Sequence, residues 1–350
     1  MSKSSENSPC WARNQRTYIV AELSANHGGS QAHALKTLDA MKESGADAVK
    51  LQTYTADTLT IDSDREDFRV KGGTAWDGRT LYDLYQQAHT PWQWHEQLFQ
   101  HATELGMDVF SSPFDRSAVD FLEQFDPPAY KIASFELIDT PLVEYVAARG
   151  RPIILSTGMA TRSEIGVSVD IVRKAGVPLA LLKCTSAYPS PPDSMNLRTI
   201  PDMASQFDVS VGLSDHTLGV AVPIAAVALG AVVVEKHFTL SREDKGADSG
   251  FSLEPHEFKT MVEGIRTTEK ALGEISYALT DEEQASKAFR RSLYAVEDIA
   301  RGDVFTAQNV RSIRPAFGLS PDRLPTVIGC HAAVDIERGT PLAESHIVVE

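Results

Sequence analysis

Along residues 17–273 the chain alternates between two textures. Short runs apolar at consecutive positions predict strands buried on both faces, and longer stretches whose apolar residues return every three or four positions predict helices covering them. Strands are expected near 18–22, 48–52, 108–112, 130–133, 152–155, 179–183, 209–212 and 232–235. Helices are expected near 31–44, 91–105, 115–124, 141–148, 161–174, 196–206, 217–229 and 254–272. Eight such units over about 250 residues suit a closed (β/α)8 TIM barrel. An open doubly wound sheet is the alternative, but no glycine-rich dinucleotide loop follows the first strand.

Two stretches break the alternation. The connection from Tyr54 to Thr90 is too long for a simple βα loop and carries a short helical pattern, GRTLYDLYQQAH; insertions at that end of a barrel shape substrate sites. After Gly273 a charged connector leads into short strands and turns with an internal repeat. Asp298-Ile299-Ala300-Arg301-Gly302 recurs as Asp335-Ile336-Glu337-Arg338-Gly339, each followed by an apolar residue, Phe305 and Leu342. A small pseudo-symmetric β-rich domain follows, with so little core that it is expected to dock on the barrel or on a partner subunit. The expected organisation is a flexible lead-in over 1–16, the catalytic barrel over 17–273, a linker over 274–290 and the β-rich domain over 291–350.

Composition narrows the partners. A net charge of −15 and a pI near 5.1 leave no basic footprint for nucleic acid. Three widely spaced cysteines, Cys10, Cys184 and Cys330, argue against a disulfide framework and for a reducing cytoplasm. Leu218 to Val234 is uncharged, but Pro223 and Gly230 interrupt it, so it reads as a buried helix, a turn and a strand rather than a membrane span.

The reactive side chains fall where a barrel places its active site, at the C-terminal strand ends. In order these are Glu22, Asn26 and His27; Lys50 and Gln52; Ser111 and Ser112; Lys131, Ser134 and Glu136; Ser156 and Thr157; Lys183, Thr185, Ser186 and Tyr188; Ser214, Asp215 and His216; Glu235 and His237. Lysines and serines at one rim suit a phosphate together with a carboxylate. His216 and His237, at the ends of neighbouring strands, suit a transition metal such as Mn, Fe, Co or Zn, with Glu22 closing the ring as base, acid or outer metal partner. Singly, each residue has an ordinary reading: an ion-paired lysine, a hydrogen-bonded histidine, or, for Ser112 and Ser156, a helix cap. Cys184 reads as a small buried residue. Convergence on one rim favours an anion-plus-metal site.

Seven ordered motifs then carry a resemblance. AELSANHGG (21–29), KLQTY (50–54), SSPFD (111–115), KIASFE (131–136), LSTGMA (155–160), GLSDHT (212–217) and EKHFT (235–239) resemble the sialic acid synthase family, and the tail resembles its antifreeze-like (SAF) domain. The pseudaminic acid branch is the nearest, on SAN within the first motif, QTYTADTLT and GRTLYDLYQQAHTPWQWH. The resemblance implies a transferase that condenses phosphoenolpyruvate with an open-chain amino sugar to give a nonulosonic acid and phosphate. It implies a divalent cation, Mn ahead of Co or Mg, on His216 and His237. Lys50, Gln52, Ser112, Lys131, Ser134, Ser156, Ser186 and Ser214 would hold phosphoenolpyruvate. Glu22, Glu136, Tyr188 and Asp248 would face the sugar or the attacking water. Arg314, in SIRPAFG, would reach the sugar from the partner in a domain-swapped homodimer. Ser186 departs from the asparagine common in the sialic acid branch, Ala133 replaces a glycine, and bulk at Phe135 would favour a 6-deoxy sugar. The competing readings are the same chemistry on an N-acetylneuraminate or legionaminate precursor, a Schiff-base aldolase using Lys131 or Lys183, and a non-catalytic carbohydrate-binding barrel.

Overall fold

In a computed structural model that describes residues 8–14, 16–71, 77–244 and 246–348, the chain divides into two compact units, Met1–Gly273 and Glu274–Glu350. The first unit begins β1 (Tyr18–Glu22), α1 (Gln31–Glu43), β2 (Ala48–Thr53), α2 (Ala56–Leu59), α3 (Leu81–Ala88), α4 (His95–Glu104), β3 (Asp108–Pro113), α5 (Arg116–Glu123), β4 (Tyr130–Ile132) and α6 (Thr140–Ala147). It continues β5 (Ile153–Ser156), α7 (Arg162–Ala175), β6 (Leu179–Cys184), α8 (Thr199–Phe207), β7 (Ser210–Asp215), α9 (Ala221–Ala228), β8 (Val233–His237) and α10 (Pro255–Leu272). All eight strands are parallel in the order β3-β2-β1-β8-β7-β6-β5-β4, and β3 packs beside β4 to complete the circle. The fold is the expected (β/α)8 barrel.

Alternation along each strand creates two cores. Outward residues such as Ile19, Val49, Val109, Leu155, Leu181 and Val234 pack under the helices. Inward residues, among them Val20, Ala48, Phe110, Ile154, Leu182 and Val233, fill the barrel interior. Moving two residues on from each gives Glu22, Lys50, Ser112, Ser156, Cys184 and Glu235, so the apolar layer is followed directly by a polar one on the same face. Register holds that layer level: Glu22 pairs with both Lys50 and His237, Gln52 with Ser112, and Ser214 with Glu235.

The lead-in expected over 1–16 is corrected at its centre. Cys10–Ala12 form a helical turn whose Cys10 and Trp11 are buried in the interior core with Tyr18 and Val20. Burying an indole there offsets the entropy of ordering the segment. Residues 1–7 and 15 lie outside the described residues.

The stretch from Leu218 to Val234 holds α9, a turn and the start of β8, as its interruptions imply. Among the described residues no helix is long and apolar enough to cross a membrane.

The second unit contains α11 (Asp281–Ser286), the antiparallel pair β9 (Ser292–Ala295) and β10 (Val310–Ile313), and α12 (Leu324–Val327). Its core is small: Leu293, Ala295, Ile299, Phe305, Val310, Val327, Ala332, Ile336 and Leu342. The repeated segments face each other through an antiparallel bridge between Ile299 and Ile336. Each repeated aspartate serves the other copy: Asp335 accepts from the Arg301 N–H at 2.7 Å, and Asp298 from the Arg338 N–H at 2.7 Å.

Candidate active site

The C-terminal rim of the barrel opens into a cavity of about 480 Å³. Lining it are Glu22, Lys50, Gln52, Ser112, Lys131, Ser134, Glu136, Ser156, Tyr188, Ser214, His216, His237 and Asp248. Sequence reasoning had assembled all of these. Ser186 sits beside the cavity wall, its hydroxyl 3.9 Å from Cys184 Sγ. Arg314 lies in the second unit, exposed, immediately after β10.

Buried charge dominates the floor. Lys50 Nζ lies 2.9 Å from Glu22 Oε2 and 2.9 Å from Glu235 Oε1. Gln52 donates to Glu22 at 2.8 Å, and Ser214 donates to Glu235 at 2.9 Å. Lys131 Nζ donates to Ser156 Oγ at 2.7 Å and to the Ile132 carbonyl at 2.9 Å, and stands 4.0 Å from Glu235. Burial resists ionisation of Glu22, but His237 and Lys50 outweigh it and hold the carboxyl well below the usual range. Burial also opposes the charge on Lys50, yet Glu22 and Glu235 keep it protonated, its pKa raised. At Lys131 burial prevails over Glu235 and brings the amine down to about 8. Burial pushes Glu136 up to about 7.

Several polar atoms are buried in this structure without a hydrogen-bond partner. Four of them, Ser112 Oγ, Glu136 Oε2, Glu235 Oε2 and His237 Nδ1, belong to residues lining the cavity. Unsatisfied buried groups are costly, and their concentration at one place marks where a polar ligand supplies the missing partners. Ser112 and Ser156 are not helix caps: Asp115 caps α5 and Thr161 caps α7. The loop after β5 passes close to two serines, and a Cβ at 158 would stand 2.2 Å from Ser186 Oγ and 2.8 Å from Ser134 Oγ, so both hydroxyls would have to turn away. Ser134 instead accepts the Gly158 N–H at 3.0 Å.

No group of three or more His, Cys, Asp or Glu side chains forms a ready metal shell among the described residues. The donors present nevertheless fit one. His216 and His237 face each other at 5.3 Å between ring centroids, and His237 has the orphaned Nδ1. Burial lowers the pKa of His237 against the opposing pull of Glu22. Two imidazoles make half of a shell completed by water or substrate oxygens. The carboxylates of Glu22, Glu235 and Asp248 outnumber the ammonium groups of Lys50 and Lys131 in the cavity, so a polyanionic ligand is accommodated best alongside a cation.

Other rim residues have structural duties. Asn26 donates to the Phe238 carbonyl at 2.9 Å and to Ser252 at 2.8 Å; His27 contacts the Ala88 carbonyl at 3.2 Å. Ser111 is bonded to Thr53, and Thr157 to the Leu182 carbonyl. Asp215 pairs with the buried Lys236 at 2.5 Å. Lys183 donates to the Cys184 carbonyl at 2.8 Å and to Thr185 at 3.2 Å, outside the cavity, which corrects its place as a Schiff-base candidate. Three lining residues were undervalued: Glu235, Cys184 and Phe251. Glu235 precedes His237 by two positions on β8 and so shares its face, a signal the sequence carried. Phe251 packs against His237 at 5.0 Å and Tyr188 at 5.2 Å from a single helical turn, Ser249–Phe251, too short to show a periodicity.

A parallel barrel whose rim carries two buried lysines, carboxyl groups with oxygens left unpartnered and a histidine pair has the groups to bind an anionic ligand. Residues 37–277 match the NeuB family and residues 290–348 the SAF domain, and the chain belongs to the NeuB family. It is an enzyme of the phosphoenolpyruvate-condensing, sialic acid synthase type, a class whose chemistry depends on a divalent metal. It is 48% identical over 332 residues to a pseudaminic acid synthase of Campylobacter jejuni, covering 95% of this chain and 96% of that one. It is 34% identical over 336 residues to an N,N'-diacetyllegionaminic acid synthase of Legionella pneumophila, covering 94% of each. Among solved structures, an N-acetylneuraminic acid synthetase from Leptospira borgpetersenii in complex with citrate superposes with a TM-score of 0.70 at 30% identity, over 78% of this chain and 90% of that one.

Proposed function

We propose that the chain is a pseudaminic acid synthase, joining phosphoenolpyruvate, 2,4-diacetamido-2,4,6-trideoxy-β-L-altrose and water to give pseudaminic acid and phosphate. The observation that carries this is the layer of buried lysines and unpartnered polar atoms at the strand ends. The 48% identity to a protein of that name, against 34% for the legionaminic relative, favours this sugar over its rivals.

Lys50, Lys131, Gln52, Ser112, Ser134, Ser156, Ser186 and Ser214 hold the phosphate and carboxylate, fixing the donor for attack by its C3 on the sugar aldehyde. His216 and His237 would hold a divalent cation, and the chemistry it would supply is that of a Lewis acid toward the sugar carbonyl. Glu136, near 7, is matched to hand a proton to the sugar oxygen as the C–C bond forms. Water then adds at C2 and phosphate leaves by C–O cleavage; the water oxygen becomes the C2 keto oxygen, one of its protons restores Glu136 and the other departs on the phosphate. Glu22, held ionised, is too weak a base to take the water proton outright, so it orients that water, with Asp248 and Tyr188 at the sugar. Arg314 of a second copy completes the sugar site in a domain-swapped homodimer, and the reaction takes place in the cytoplasm.

Phosphate release from phosphoenolpyruvate, measured side by side with the altrose derivative and N-acetylmannosamine, tests the reading; faster turnover of N-acetylmannosamine overturns it. Lys131, with its amine near 8, leaves one other reading open, a Schiff base, and covalent trapping by borohydride with substrate would establish that instead.

A further inference from the structure

The cavity has two chemically different sides. The strand ends contribute nearly all its charge. The connection between β2 and α4 contributes Leu59, Val70, Leu81, Leu84, Tyr85 and Ala88. That apolar surface is selected out of a polar segment. Residues 62–71, DSDREDFRVK, are rich in charge, and Asp62, Asp64, Arg65, Glu66 and Asp67 are all exposed while Val70 alone lines the cavity. Along α3 the lining residues Leu81, Leu84, Tyr85 and Ala88 are spaced to share one face, and Asp83, Gln86 and Gln87 are exposed on the other.

The wall is anchored. Thr55 and Thr58 form a reciprocal cap on α2, and Thr80 caps α3. Tyr85 meets Tyr54 edge-on at 5.8 Å, and Tyr54 meets Phe114, after β3, at 5.2 Å. The Ala88 carbonyl contacts His27 at 3.2 Å, tying the end of α3 to the loop after β1. An apolar face held against an open cavity rewards a ligand that places methyl groups on it and penalises one that buries a hydroxyl there without a partner.

Resting on the function proposed above, we infer that this insertion is the specificity element. Leu59, Val70, Leu81 and Leu84 seat the methyl groups at the far end of a 6-deoxy, acetamido-bearing sugar and discriminate against a sugar with a hydroxyl at C6. The barrel rim performs the chemistry common to any such sugar; the insertion chooses among them.

Val70→Thr, isosteric but polar, and Leu81→Gln test this, with Gln86→Ala on the exposed face of α3 as control. The measurement is kcat/KM for the 2,4-diacetamido-6-deoxy sugar and for N-acetylmannosamine, with KM for phosphoenolpyruvate and a thermal melt on each protein. Each wall variant is expected to lower kcat/KM for the deoxy sugar roughly tenfold through KM, the scale of losing one well-seated methyl group. The KM for phosphoenolpyruvate should hold, the ratio of the two sugars should narrow, and Gln86→Ala should keep that ratio. A wild-type protein that prefers the deoxy sugar, together with a folded Val70→Thr that keeps the wild-type ratio, overturns the inference and leaves the function standing. A wild-type preference for N-acetylmannosamine overturns both.

Discussion

Glu235→Gln removes a charge from the centre of the site while keeping the shape and the Ser214 partner. The Glu235 carboxylate lies 2.9 Å from the Lys50 amine and 4.0 Å from that of Lys131. At an effective dielectric constant of about 20 these contacts correspond to about 6 and about 4 kcal/mol of gross attraction. Desolvation of the carboxylate opposes this, as does repulsion from Glu22, and breaking such buried sets leaves a net loss of about 3–5 kcal/mol. For a domain of this size that corresponds to a fall in Tm of roughly 5–10 °C. Lys131, without its neighbouring carboxylate, and Lys50, left with Glu22 alone, should then draw more stabilisation from an anionic ligand that restores the missing charge. Differential scanning calorimetry with and without saturating phosphoenolpyruvate measures both effects. The variant should melt lower than wild type alone and gain more from the ligand. Equal stability without ligand, or an equal gain with it, refutes the reasoning.

Burial raises Glu136 from an unfolded value near 4.5 to about 7, so between these values the native state holds a proton that the unfolded chain has released. Stability therefore falls as pH rises through that window, by up to about 3 kcal/mol; Glu136→Gln should gain on wild type from pH 4.5 to 7 in denaturant titrations, and a pH-independent difference would contradict this. Chelation should abolish activity and Mn²⁺ should restore it, whereas His216→Ala and His237→Ala should stay folded but bind Mn²⁺ weakly by calorimetry; full activity in metal-stripped protein would exclude the metal role. Inactive His237→Ala and Arg314→Ala proteins, once mixed and exchanged, should recover roughly a quarter of wild-type activity, because half the dimers are mixed and each has one intact site; no recovery despite exchange would place Arg314 in its own chain's site or outside any site.

The barrel was legible because its two periodicities are strong, and the rim because βα units announce their own strand ends. What a strand end does not announce is its face. Ser111 and Ser112 are adjacent, so only one can line the cavity, and the register gives it to Ser112. Lys183 looked equivalent to Lys131 until alternation turned it away from the interior. The expected limits also ended β7 at 212 and β8 at 235, short of Asp215 and His237, because Ser214 and His237 continue the ladder as buried polar residues. The insertion's apolar wall was illegible for another reason: Leu59, Val70 and Leu81 are far apart in sequence, and only the tertiary path brings them together. Trp11 was hidden inside a segment polar enough to pass for tail.

The crossed aspartates of the second unit make its two repeats an obligate pair. Asp298 closes the turn at Arg338 and Asp335 the turn at Arg301, so neither copy contains its own finishing contact. A lesion at Asp298 therefore injures the segment forty residues downstream before it injures its own. Half of the domain is thus not a smaller version of it but an unfinished one.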